Sequence, residues 1–218
     1  KKNGIDKVHV VDFDNNISKI SHYEFLKEVI VRKFNPRFIV LGRNHEFGYK
    51  RLGNIHFLKE NEKKYNFKTI VVEPVMINNI TVSSTNIRKY ILDGKIEYAN
   101  KLLGKMYEIE GTVVSGSKRG KNMNFPTANI QICDYLVPGN GSYCISSYIN
   151  DISYNGMCNI GYRPTFNDSI DKVIEVNLFS NFSNDFYNNK IKVKFIKYLR
   201  PEKKFDSTKD LMDQLIKD

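Results

Sequence analysis

Apolar positions change period repeatedly along the first hundred residues. Between Ile5 and Phe13, the valines Val8, Val10 and Val11 predict a strand, whereas Phe25, Leu26, Val29 and Ile30 recur at helical spacing from Ser21 to Arg32. Pro36 punctuates, and Arg37 to Leu41 forms a short strand-like run that stops at Gly42. A helix is expected from about Asn54 to Asn66, then a strand at Thr69 to Val72 and a stop at Pro74. Strands alternating with helices imply βαβ units and a parallel sheet, in which ligands sit beyond the carboxyl ends of the strands. Ser84 is placed to cap a helix running through Tyr90 and Ile91 to Gly94, and a shorter helix from Lys95 to Leu103 ends at Gly104.

After Gly104 the pattern changes to strands without intervening helices. Tyr107 to Val114, Gly141 to Asn150, Val173 to Phe179 and Ile191 to Tyr198 read as strands, separated by turn clusters such as Pro138 to Gly141 and Asn188-Asn189. Such a run predicts a small antiparallel sandwich or barrel. A last helix begins at Asp206-Ser207, where Ser207 and Asp210 resemble a capping box, with Leu211, Met212, Leu215 and Ile216 on one face. The expected division is therefore an α/β domain over 1–104 and an all-β domain with a terminal helix over 105–218.

The 218 residues suffice for one large or two small domains, and 41% hydrophobic content is globular rather than disordered. No apolar run approaches a membrane span and no apolar leader follows Lys1-Lys2, so a cytoplasmic location without a membrane partner is expected. Cys133, Cys144 and Cys158 lack CxxC spacing and a nearby histidine, and are expected as buried, reduced thiols. A net charge of +10 points to an anionic partner without choosing among nucleic acid, a membrane surface and a phosphorylated small molecule.

One stretch concentrates chemistry suited to a polyphosphate. Gly116, Ser117, Lys118, Gly120 and Lys121 combine flexible backbone with cationic side chains, and the run continues into Phe125-Pro126-Thr127-Ala128-Asn129. Pro126 holds this continuation extended, which brings Thr127 and Asn129 to one side at period two. Two neutral oxygens beside such a loop could serve a Mg-ATP site, since Mg²⁺ takes oxygen ligands and is commonly completed by nucleotide phosphates. The competing reading is a plain strand start in which Asn129 bonds backbone. In Val173 to Leu178, residues 174, 176 and 178 form the apolar face, so Glu175 and Asn177 project the other way. Glu175 is solvated surface, or a general base if that face lines the phosphate site. Gly42, Arg43, Asn44, His45, Phe47, Gly48 and Gly53 form a glycine-rich loop after a strand, either a phosphate cradle or only a turn. Ser83, Ser84, Thr85 and Arg88 open a helix whose start attracts anions, or they are a plain cap beside a solvated arginine.

These runs resemble the prokaryotic bifunctional riboflavin kinase and FMN adenylyltransferase family, also called FAD synthetase. The resemblance is carried by Phe125 to Asn129, by Asn159-Ile160-Gly161-Tyr162-Arg163-Pro164-Thr165-Phe166, by the Glu175 strand and by Leu199 to Asp206. It implies a partial Rossmann-like nucleotidyltransferase domain, then an antiparallel Greek-key β-barrel with a C-terminal helix. It also implies a kinase that passes the γ-phosphate of ATP to the 5′-hydroxyl of riboflavin, releasing FMN and ADP. By the same resemblance Thr127 and Asn129 would hold Mg²⁺, Glu175 would be the base, and the loop from Gly116 to Lys121 would cover the ATP phosphates. Arg163, Pro164, Thr165 and Phe166 would form a flap, and Arg200, Phe205 and the last helix would border the flavin.

Gly42 to Gly53 and Ser83 to Arg88 resemble later motifs of the adenylyltransferase domain. The paired-histidine motif with which that domain opens does not occur, since His9, His22, His45 and His56 are isolated. The expectation is that the sequence as read supports FMN formation, and that FAD synthesis belongs to a longer protein. Two other classes of function remain as alternatives, a basic barrel that binds nucleic acid and an inactive flavin-binding fragment. Nucleic acid is not expected, because aromatics such as Tyr143, Tyr148, Phe182 and Phe186 fall mostly on core-like strand positions and no RNA-binding motif occurs.

Overall fold

The computed structural model describes residues 4–114, 127–164, 170–179, 187–203, 210 and 214. The chain divides into two compact units, Lys1–Val75 and Met76–Asp218.

In the first unit the expected helix after Ser21 forms as three continuous stretches, His22–Glu24, Phe25–Val31 and Arg32–Phe34, with a wide π-helical turn in the middle. Ser21 and Glu24 make a reciprocal capping box, and Asn35, left-handed at φ 42°, ends the helix. Strands β1 (Phe38–Gly42) and β2 (Lys68–Val72) pair in parallel, joined by the helix Ile55–Tyr65. This is the predicted βαβ unit. Asn54 caps its helix by accepting from Phe57 N at 3.0 Å. Leu26, Leu41, Leu58 and Phe67 form the core, while the opposite parity of the sheet leaves Phe38, Val40, Ile70 and Val72 exposed.

The strand expected over Ile5 to Phe13 does not form. These residues have no ladder partner among the described residues, and Val10 is 88% and Phe13 81% exposed. β-branched residues favour a strand only when a neighbouring strand supplies hydrogen bonds and side-chain contacts.

The second unit opens with a hairpin of β3 (Met76–Ile77) and β4 (Ile80–Thr81), turned by Asn78 and Asn79, both at positive φ. The helix Ser84–Leu92 is capped by Ser83, correcting the expected cap at Ser84. Ser83 has the extended backbone a cap requires and accepts from Asn86 N at 3.2 Å, whereas Ser84 is already helical. The helix Ile96–Leu103 ends at left-handed Gly104 as expected. Ile91, Ile96 and Ala99 join the barrel core, so by packing these helices belong with the barrel, although the expected sequence domains divide later, at Gly104.

Strands β5 (Tyr107–Val114), β6 (Thr127–Ile132), β7 (Gly141–Ile149), β8 (Ile152–Pro164), β9 (Ile170–Leu178) and β10 (Lys190–Arg200) close a barrel in the order β10-β5-β6-β9-β8-β7. Every neighbouring pair is antiparallel. Because β7, β8 and β9 follow one another and β10 returns beside β7, the connection is a Greek key. Alternation fills the interior with Ile109, Val113, Tyr143, Ile145, Val176, Val193 and Phe195, all fully buried. The sequence reading did not anticipate β8, whose alternation is broken in the middle by Gly156 and Met157. Gly156 of β8 is required by close approach, since a Cβ there would lie 2.2 Å from the Asn177 carbonyl oxygen. The expected terminal helix lies outside the described residues except for Asp210 and Gln214, both helical. The three cysteines are free, but only Cys158 is buried: Cys144 is half-buried, and Cys133 is exposed because its place just after β6 turns it out of the core.

Candidate functional site

Antiparallel register brings residues distant in sequence onto one line. Asn129 on β6 stands opposite Glu175 on β9, Glu175 opposite Asn159 on β8, Asn159 opposite Ser142 on β7, and Ser142 opposite Arg200 on β10. The flanking line, Ala128, Val176, Cys158 and Tyr143, is buried in the core, so the polar line occupies the other face of the sheet. Directly opposed residues in such ladders have Cα atoms only ~4.5–5.5 Å apart. Glu175 therefore faces the same small volume as Asn129. Ser142 Oγ donates to Asn159 Oδ1 at 3.1 Å, which orients that amide beside Glu175. The Glu175 charge acts across the sheet, adding to burial in pushing the Cys158 thiol far above its ordinary range.

The next outward line runs Thr127, Asn177, Met157, Cys144 and Lys197. Asn177 is 6% exposed, and neither its Nδ2 nor its Oδ1 has a hydrogen-bond partner among the described residues. Beyond Asn129 and Glu175 the β6–β9 ladder stops, and a groove of about 430 Å³ opens, lined by Val114, Asn129, Ile130, Ile132, Lys172 and Ile174 among others. Lys172 Nζ donates to the Pro138 carbonyl at 2.6 Å, and burial lowers its pKa.

Of the residues singled out from sequence, the fold sets Asn129 directly against Glu175, while Arg200 stands on the same line three strands beyond Glu175. Thr127, Arg163 and Pro164 are placed by their backbone in β6 and β8, with Thr127 in register with Asn177 and Arg163 with Asp171. Gly116, Ser117, Lys118, Gly120, Lys121, Pro126, Thr165, Phe166 and Phe205 lie outside the described residues. Asn159, Ser142, Asn177 and Lys172 had not been singled out as site residues. Asn177 carried a signal, sharing the outward parity of Glu175, whereas Ser142 carried none.

The glycine-rich loop of the first unit has structural explanations for several of its residues. Phe47 and Gly53 exchange two backbone hydrogen bonds of 2.9 Å, and the Phe47 ring packs near Phe25 and Phe57. A Cβ at Gly53 would meet that ring at 2.6 Å, and one at Gly48 would meet His22 Cα at 2.4 Å. Arg43 is engaged by Glu73 through a two-pronged ion pair, Nε to Oε2 at 2.6 Å. Gly42 and Asn44 remain exposed at the end of β1. Ser83, Ser84, Thr85 and Arg88 fall in the second unit, apart in sequence and in packing unit from this loop.

A family model described as riboflavin kinase matches residues 103–218, and one described as FAD synthetase matches residues 1–86. The bifunctional riboflavin kinase/FMN adenylyltransferase of Buchnera aphidicola subsp. Schizaphis graminum is 40% identical over 98% of this chain and 69% of its own length. The protein of the same description from Bacillus subtilis is 35% identical over 99% and 68%. A solved structure described as a macrolide-efflux protein from Streptococcus pneumoniae covers all of this chain and 69% of its own, with TM-score 0.86 and 33% identity. Among the described residues no helix is long and apolar enough to cross a membrane. By the match over its barrel half and by relatives similar along almost its whole length, the chain belongs to the bifunctional riboflavin kinase/FMN adenylyltransferase family.

Proposed function

We propose that the barrel unit transfers the γ-phosphate of ATP to the 5′-hydroxyl of riboflavin, giving FMN and ADP. The observation that supports this most is the register of Asn129 with Glu175, which sets an amide and a carboxylate residue side by side on one face of two paired strands. Glu175 takes the proton of the 5′-hydroxyl as its oxygen bonds to the γ-phosphorus; the bond to the bridging oxygen breaks, and its electron pair leaves with ADP. Rigid placement of the carboxylate supplies the orientation that such a transfer needs. Asn159, fixed by Ser142, keeps the Glu175 side of the line polar.

The donor set fits Mg²⁺. Asn129 offers a neutral oxygen beside the Glu175 carboxylate, Thr127 lies two residues before Asn129 on the same strand, and no group of three or more His, Cys, Asp or Glu stands together among the described residues. An ion that keeps several waters and takes the rest of its shell from nucleotide phosphates suits such a sparse set. Thr127 and Asn129 would hold it, and bound there it would neutralise phosphate charge. The loop from Gly116 to Lys121 is proposed to cover the phosphates, Arg163 to Phe166 to close over the substrates, and Arg200 and Phe205 to border the flavin. The functional domains are proposed to meet at Gly104-Lys105, with Gly42 to Gly53 and Ser83 to Arg88 serving adenylylation. A cytoplasmic setting, where ATP is supplied, completes the reading.

Incubating the purified chain with riboflavin, ATP and Mg²⁺, then separating riboflavin, FMN and FAD by chromatography, tests it. FMN with equimolar ADP is expected. Flavin binding without ATP consumption would overturn the kinase reading.

A further inference from the structure

Asn177 occupies a position where an apolar side chain would fold at lower cost. It stands opposite Met157 on one side and in register with Thr127 on the other, and it is buried to 6% exposure with both amide atoms unmatched among the described residues. Buried donors and acceptors without partners are uncommon in native structures, because each forfeits its bonds to water. Leucine of similar size would avoid that penalty. The location gives the orphaned amide a use, since Glu175 lies two residues before it on the same strand face, with Asn129 across from Glu175.

The two unmatched atoms differ in sign. A phosphate oxygen only accepts and satisfies Nδ2 alone, while a metal ion satisfies Oδ1 alone. Neighbouring hydroxyls of a polyol satisfy both, one accepting from Nδ2 and the next donating to Oδ1. Riboflavin carries such a chain between its ring and the hydroxyl that is phosphorylated. Resting on the kinase reading above, we propose that Asn177 binds two adjacent hydroxyls of the ribityl chain and thereby sets the 5′-hydroxyl against Glu175.

The test compares Asn177→Leu, which keeps volume and removes both polar atoms, with Asn177→Asp, which keeps the shape and removes the donor. Fluorescence titration measures binding of riboflavin and of lumiflavin, which has the ring and no polyol chain. Turnover gives the KM for ATP, and thermal unfolding follows the ligand-free proteins. Loss of riboflavin affinity by about tenfold or more in both variants is expected, with lumiflavin binding unchanged in both and the KM for ATP unchanged in Asn177→Leu, which adds no charge. The ligand-free Asn177→Leu protein is expected to melt no lower than wild type. Equal weakening of riboflavin and lumiflavin, a shift in the ATP KM of Asn177→Leu instead, or unchanged riboflavin binding would each overturn the assignment. If Asn177→Leu does not fold, the Asn177→Asp titrations decide alone. Wild type that binds riboflavin without forming FMN would remove the kinase reading, while the comparison of the two flavins would still report on Asn177.

Discussion

Asn129 and Glu175 stand directly opposite each other on antiparallel β6 and β9, at the last pair before those strands part. One residue belongs to a Pro-Thr-Ala-Asn run and the other to an alternating strand far along the chain. Replacing Glu175 with Gln keeps the shape and removes the base, so kcat for FMN formation should fall by about 10² to 10⁴ while riboflavin still binds. Steady-state rates with a parallel flavin titration check this, and unchanged turnover removes Glu175 from the base role.

Asn129→Ala should instead be read in its metal dependence. Losing a neutral oxygen ligand should raise the Mg²⁺ concentration for half-maximal rate by about tenfold, with partial recovery at high Mg²⁺. A lowered rate that no Mg²⁺ concentration improves would argue against the ligand role.

Gly156 and Asn177 touch through backbone, and a methyl group at Gly156 would collide with the Asn177 carbonyl. Gly156→Ala should cost about 1–3 kcal/mol of stability by forcing β8 and β9 apart. Chemical denaturation measures it, and a wild-type midpoint would show that the strands give way freely.

Helix capping separates two neighbouring serines. Ser83→Ala removes the bond to Asn86 N and should cost about 1 kcal/mol, whereas Ser84→Ala should be close to neutral. Equal losses in urea titrations would contradict the assignment of the cap.

Burial holds the Tyr143 hydroxyl and the Cys158 thiol above their ordinary values of 10.0 and 9.0, and the Glu175 charge raises the thiol further. The folded chain then keeps protons that the unfolded chain releases. The stability these groups contribute is complete below about pH 9 and declines as the pH rises beyond it. Denaturation midpoints measured from pH 7 upward should show that decline. In the same samples a maleimide should label exposed Cys133 in the native protein and Cys158 only after unfolding.

Much of this was legible from local pattern. The helix at Asn54 to Asn66, the parallel strands beside it and four of the barrel strands follow from apolar period, caps and turns, because each depends on residues close in sequence. β8 was missed, since Gly156 and Met157 break the alternation of Ile152, Tyr154, Cys158 and Ile160 with Ser153, Asn155 and Asn159, and its pairing partners lie elsewhere in the chain. The valines at 8, 10 and 11 misled for the converse reason: strand propensity without a ladder leaves them in solvent.

By itself the sequence determined the two kinds of architecture, the outward parity of Glu175 and Asn177, and the oxygen-bearing run at Thr127 to Asn129. Tertiary structure decided which of these meet. Period two tells which face of a strand a residue occupies and nothing about which strand lies alongside. Only closure of the barrel, with β9 inserted between β6 and β8, sets Asn129 against Glu175, extends the line through Asn159 and Ser142 to Arg200, and buries the unmatched amide of Asn177 beside them.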